Sequence, residues 1–89
     1  MSPLGHDLSR QTKLYLGQRI VQLREAKGWD RSDLARTLEI QWGTLKALED
    51  GKSAPRLKMM LALVEALDLP SIDELIGGTM FVRHLEDKR

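Results

Sequence analysis

Apolar residues recur at helical spacing along most of this chain. Leu16, Ile20 and Leu23 are four and three residues apart, and Leu14 and Val21 widen the stripe. That pattern predicts a helix from about Arg10 to Lys27, stopped by Gly28 in the left-handed conformation. Asp30 then caps a short second helix, Arg31 to Leu38, with Leu34, Ala35 and Leu38 inward and Asp33 adding negative charge to its first turn. Glu39 and Ile40 make a tight connection. Gln41 opens a third helix, Trp42 to about Asp50, with Leu45 and Leu48 inward, and Gly51 stops it. Ser53, Ala54 and Pro55 start a fourth helix that runs to about Asp68, because proline is tolerated in the first turn.

The fourth helix is apolar on nearly every side. Leu57, Met60, Leu61, Val64 and Leu67 form one stripe, and Met59, Ala62, Leu63 and Ala66 lie opposite. Such a helix is buried or sits at an interface. Pro70 breaks the chain, and Ser71 with Glu74 reads as a capping box for a short fifth helix ending at Gly77 and Gly78. The pattern divides the chain into a loose arm over 1–9, a helical domain over 10–78 and a tail over 79–89. The tail carries Met80, Phe81, Val82 and Leu85, as strand or as one more helical piece.

Composition supports an all-α domain. Of the 89 residues 42% are hydrophobic and 30% charged, and aromatics are few, which suits one folded helical domain with a modest core. With no cysteine, disulfides and thiolate zinc sites are excluded. The longest charge-free apolar run, Met59 to Val64, is far short of a membrane span. The N-terminus has no signal pattern, so a soluble cytoplasmic protein without membrane contact is expected. The net charge of +1 hides an asymmetry: 1–58 hold 11 Lys/Arg against 7 Asp/Glu, and 59–89 hold 3 against 6. The basic half suits a polyanion partner. His6 and His84 have no carboxylate constellation nearby in sequence and read as surface residues. No nucleophile–base pair, metal spacing or phosphate-cradling glycine loop stands out, so neither an enzyme nor a cofactor is expected.

Two short helices joined by about three residues make a helix-turn-helix unit, whose second helix can enter a DNA major groove. Ala35 sits where the two helices should cross, and Ile40 plugs the turn. Trp42 lies within about 60° of Leu45 on the helical wheel, so it either tucks partly into the core or faces a groove or a protein partner.

The spaced residues Leu16-Gly17-Gln18-Arg19-Ile20, Leu23-Arg24, Lys27-Gly28-Trp29-Asp30, Leu34-Ala35, Leu45, Leu48-Glu49-Asp50-Gly51-Lys52 and Pro55 resemble the repressors of Cro/CI and Xre type, from about Leu14 to Ile76. The resemblance implies a five-helix, lambda-repressor-like DNA-binding domain that reads duplex DNA with helix 3. It implies a structural pair between Arg24 and Glu49. It assigns Arg31 to a phosphate, and Gln41 to a phosphate or base edge. Lys46 falls on the outer face of helix 3 and Lys52 in a backbone-facing loop, with Arg56 or Lys58 nearby. The reading positions fall at Trp42, Gly43, Thr44 and Ala47. Trp42, Gly43 and Ala47 depart from the usual polar readers; Trp42 and Ala47 suit thymine methyls, and Gly43 a close backbone approach. Asp50 stands where a neutral residue often meets a phosphate, and its charge should repel one. The implied function is a sequence-specific transcriptional regulator, a repressor acting as a homodimer on palindromic sites. The apolar surplus of helix 4 and the tail is then dimer face or core. The alternative is a protein-interaction adaptor or antitoxin of the same fold.

Overall fold

The computed structural model of the protein describes residues 3–77, with side chains from Arg10 onward. Gly78 and the tail over 79–89 lie outside the described residues. Those residues form five helices and no strand: α1 Pro3–Ala26, α2 Arg31–Leu38, α3 Trp42–Glu49, α4 Leu57–Ala66 and α5 Ile72–Ile76. This is a small all-α fold of the lambda-repressor-like type.

α1 starts earlier than the apolar stripe suggested. It is helical from Pro3, not from Arg10; a proline fits a first helical position, where its missing N–H costs nothing. Leu16 and Ile20 are buried, Leu23 is half-buried and Leu14 is exposed. Gly28 ends the helix with φ +74, as Trp29 N–H donates to the Arg24 carbonyl at 3.2 Å. α2 begins with a reciprocal capping box. Asp33 N–H donates to Asp30 Oδ1 at 2.8 Å, and Asp30 N–H donates to Asp33 Oδ2 at 3.0 Å. The α2–α3 turn passes through Glu39 at φ 57, and Ile40 N–H reaches back to the Ala35 carbonyl at 3.0 Å. The Ile40 side chain packs half-buried on the core.

The core joins Leu16 and Ile20 of α1, Leu34 and Ala35 of α2, Leu45 and Leu48 of α3, and Leu63, Leu67 and Leu75. Burying a leucine fully contributes about 1.5–3 kcal/mol, so these positions fix how the short helices stack.

One boundary, one face and one cap differ from the sequence reading. α4 starts at Leu57 with Arg56 as its N-cap, so Pro55 lies in the approach to the helix. Its inward side is Leu63, with Leu67 just beyond its end. Leu57 and Leu61 face outward, 64% and 55% exposed. Ser71 makes no side-chain cap on α5, and the Glu74 N–H instead donates to the Ser71 carbonyl at 3.2 Å. α5 is fastened to α1 by its open carbonyls. Tyr15 Oη donates to the Ile76 carbonyl at 2.8 Å, and Arg19 donates to those of Glu74 and Leu75. Gly77 closes the helix at φ +89.

Candidate nucleic-acid interface

α3 has two faces with separate tasks. Leu45, Leu48 and Glu49 are buried, while Gln41, Trp42, Gly43 and Thr44 are exposed. Gln41 is the N-cap, but its side chain makes no capping hydrogen bond and stays available. Trp42 does not tuck into the core: it is 47% exposed, with the Arg31 guanidinium 5.1 Å from its ring centroid. A cation so placed is attracted by the ring face. Gly43 meets nothing within 4 Å of where a Cβ would stand, and its φ is not positive. Neither packing nor backbone conformation in this chain requires glycine there. Ala47 is half-buried and Thr44 exposed.

α3 is held in place by charge as well as by leucine. Glu49, with its side chain 1% exposed, accepts from Arg24 Nε at 2.8 Å and from Arg24 Nη2 at 3.1 Å. Arg31 Nε donates to the same carboxylate at 2.8 Å. Arg24 Nη1 also donates to the Trp29 carbonyl at 3.0 Å. The two-pronged Arg24–Glu49 bond ties α3 to α1, and Arg31 ties it to α2. The hydrogen bond to Glu49 raises the Arg24 pKa above its already high ordinary value, so this arginine stays charged. Backbone contact completes the clamp. A Cβ on Gly17 would stand 2.5 Å from the Glu49 carbonyl oxygen and 2.6 Å from that of Leu48. Only glycine lets α1 cross the last turn of α3 this closely.

Of the basic residues nominated from sequence, Arg31, Lys46 and Lys52 lie on or next to α3 in different states, while Arg56 stands at the N-cap of α4 and Lys58 lies in its first turn. Arg31 is engaged by Glu49 and Trp42. Lys46 Nζ donates to Asp50 Oδ2 at 2.6 Å, one helical turn away. Lys52 is exposed on the loop after α3, where its N–H donates to the Ala47 carbonyl at 2.9 Å. Sequence reasoning missed both pairings. The i,i+4 spacing of Lys46 and Asp50 is a readable signal. The Arg31–Glu49 contact has none, since 18 residues separate the partners. In the sequence, Gly17 stands out only through the family resemblance, and the helix-turn-helix spacing points to Ala35 for the close crossing. Ala35 is indeed buried, but the tightest backbone approach is at Gly17.

Among the described residues no helix is long and apolar enough to cross a membrane, and no His/Cys/Asp/Glu cluster could hold a metal ion. No curated protein matches the chain. Residues 17–79, spanning all of α2 to α5 and the crossing glycine of α1, match the family described as helix-turn-helix domain. With that match covering well over half of its length, the chain belongs to the helix-turn-helix domain family.

Proposed function

We propose that this protein is a sequence-specific DNA-binding transcriptional regulator of the Cro/CI and Xre type, acting in the cytoplasm as a dimeric repressor. One observation carries the reading. α3 is anchored from behind by Leu45, Leu48 and Glu49, while its opposite face offers Gln41, Trp42, Gly43 and Thr44 to solvent beside Arg31, Lys46 and Lys52. A helix so presented suits the major groove, whose width admits one helix. In this reading Arg31 and Lys52 face phosphates, Gln41 and Thr44 reach base edges, Trp42 and Ala47 touch thymine methyls, and Gly43 lets the helix backbone come close. The outward pair Leu57 and Leu61 on α4 supplies an apolar seam for a second copy.

The test is selection of duplexes from a random library, followed by titration over a range of salt. A shared motif among the selected sequences is expected, with a log–log salt slope of about −0.9 per phosphate contacted. Trp42→Ala and Lys52→Ala should each weaken binding while leaving the helical signal intact. A folded protein that binds no duplex even at low salt overturns the reading. Light scattering tests the dimer: about twice the 10.1 kDa chain mass is expected, returning to one chain mass in Leu61→Glu.

The second reading is a protein-binding adaptor or antitoxin. An apolar concavity of about 500 Å³ between the α2–α3 turn, α3 and α4, lined by Ile40, Leu48, Pro55 and Met59, favours it. Loss of a protein partner, with DNA binding retained, on Met59→Glu would separate this role from the first.

A further inference from the structure

Asp50 stands among the cations of this face. Its Oδ2 accepts from Lys46 Nζ at 2.6 Å, and among the described residues Lys46 is its one side-chain hydrogen-bond partner. Within the fold, the carboxylate serves this exposed i,i+4 pair, a kind that adds little to helix stability. The last turn of α3 is closed by backbone, through Asp50 N–H to the Lys46 carbonyl at 2.8 Å. A negative charge at a helix C-terminus also opposes the helix dipole. The carboxyl is nonetheless held below the usual 3.8, first by the Lys46 hydrogen bond and then by the fields of Lys46, Lys52 and Arg31, against a contrary effect of burial. These are the three cations of the proposed interface.

We infer that Asp50 is an affinity-setting residue, whose carboxylate occupies Lys46 as a DNA phosphate would and so holds duplex binding below what the basic residues of this face could give. The inference rests on the DNA-binding reading. For Lys46 to meet a phosphate it must share its charge with Asp50 or leave it, and either way Asp50 faces the DNA backbone as a like charge. That opposition is the same for every sequence, because phosphates carry no sequence information. Asp50 therefore suppresses sequence-independent binding and leaves discrimination to contacts with base edges.

The experiment measures binding of the full chain to a fluorescent random-sequence duplex at low and moderate salt. Asp50→Asn should bind on the order of tenfold tighter at low salt, the scale of one relieved like-charge contact near a protein surface. Its salt slope should steepen by about 0.9, one further phosphate neutralised. The double variant Lys46→Ala/Asp50→Asn should return close to wild type. Glu65→Gln makes the same one-unit charge change on α4 and should stay within about twofold of wild type, because screened charge acts locally. Equal gains from Asp50→Asn and Glu65→Gln would reduce the effect to net charge and overturn the inference. So would wild-type affinity in Asp50→Asn, while the DNA-binding reading would stand. Absence of binding by both wild type and Asp50→Asn, with both folded, overturns the reading and the inference together.

Discussion

Glu49→Ala removes the acceptor of three charge-assisted hydrogen bonds and leaves two guanidinium groups facing the emptied space. Arg24 suffers most, because its side chain is 9% exposed and cannot swing into water without opening the α1–α3 crossing. Among the described residues it keeps the Trp29 carbonyl as a hydrogen-bond acceptor. Breaking a buried pair from one side costs about 3–5 kcal/mol. A domain of this size has a total of about 5–15 kcal/mol. At roughly 4–8 °C per kcal/mol, the melting temperature should fall by at least about 12 °C. Thermal unfolding followed by circular dichroism reads this directly. Two companions sharpen it. Arg31→Ala leaves Glu49 still paired with Arg24 and should cost about 1 kcal/mol or less, since Arg31 is partly solvated. The apolar pair Arg24→Met/Glu49→Leu should recover much of the loss, because it strands no charge. A Glu49→Ala protein that melts with wild type would refute the reasoning, and would mean that leucine packing alone orients α3.

Gly17→Ala should destabilise by about 3 kcal/mol or abolish folding, since the new methyl meets backbone oxygens that cannot step aside; a wild-type urea midpoint would contradict this. Gly43→Ala should do the opposite and stabilise by about 0.4–1 kcal/mol, because its site is helical and open. The companion loss expected of it is in DNA affinity, so a melt and a binding curve that move in opposite senses are the signature. For pH, the Asp30 carboxyl is held below 3.8, chiefly by the Asp33 backbone N–H. A depressed folded pKa adds stability above the unfolded value, which is lost as pH falls through the folded one. Asp30→Asn should thus be less stable than wild type at neutral pH, and the two stability curves should converge below about pH 3.8; parallel curves down to the acid limit would count against the cap.

Much of the fold was legible in local chemistry. Gly28 and Gly51 end helices because the chain turns left-handed there, both at φ +74. Asp30 caps because a carboxylate three residues before a free N–H has a partner within reach. Leu16, Ile20, Leu34, Leu45 and Leu48 were readable as core from spacing alone. The start of α1 was not, since Leu4 and Leu8 are cut off from the Leu16 stripe by polar residues over 9–13, and a lone i,i+4 pair does not specify a helix start. Nor was the orientation of α4, where leucines on every side give a pattern with no preferred face. The site was legible as positions but not as states. Arg31, Lys46 and Lys52 do surround α3, yet whether a cation is free or engaged depends on distances that sequence spacing does not contain.

The division of α3 into a buried half and an open half bears on how this protein could be retargeted. Gln41, Trp42, Gly43 and Thr44 are exposed, and the anchoring residues Leu45, Leu48 and Glu49 are buried on the other side. Exchange at the four open positions therefore leaves the clamp to α1 and α2 unaltered, apart from the small helix-propensity differences among the residues chosen. Only Trp42 carries a neighbour with it, because Arg31 rests on its ring. Libraries randomised at 41, 43 and 44 should consequently yield mostly folded proteins, a modular surface on a fixed mount.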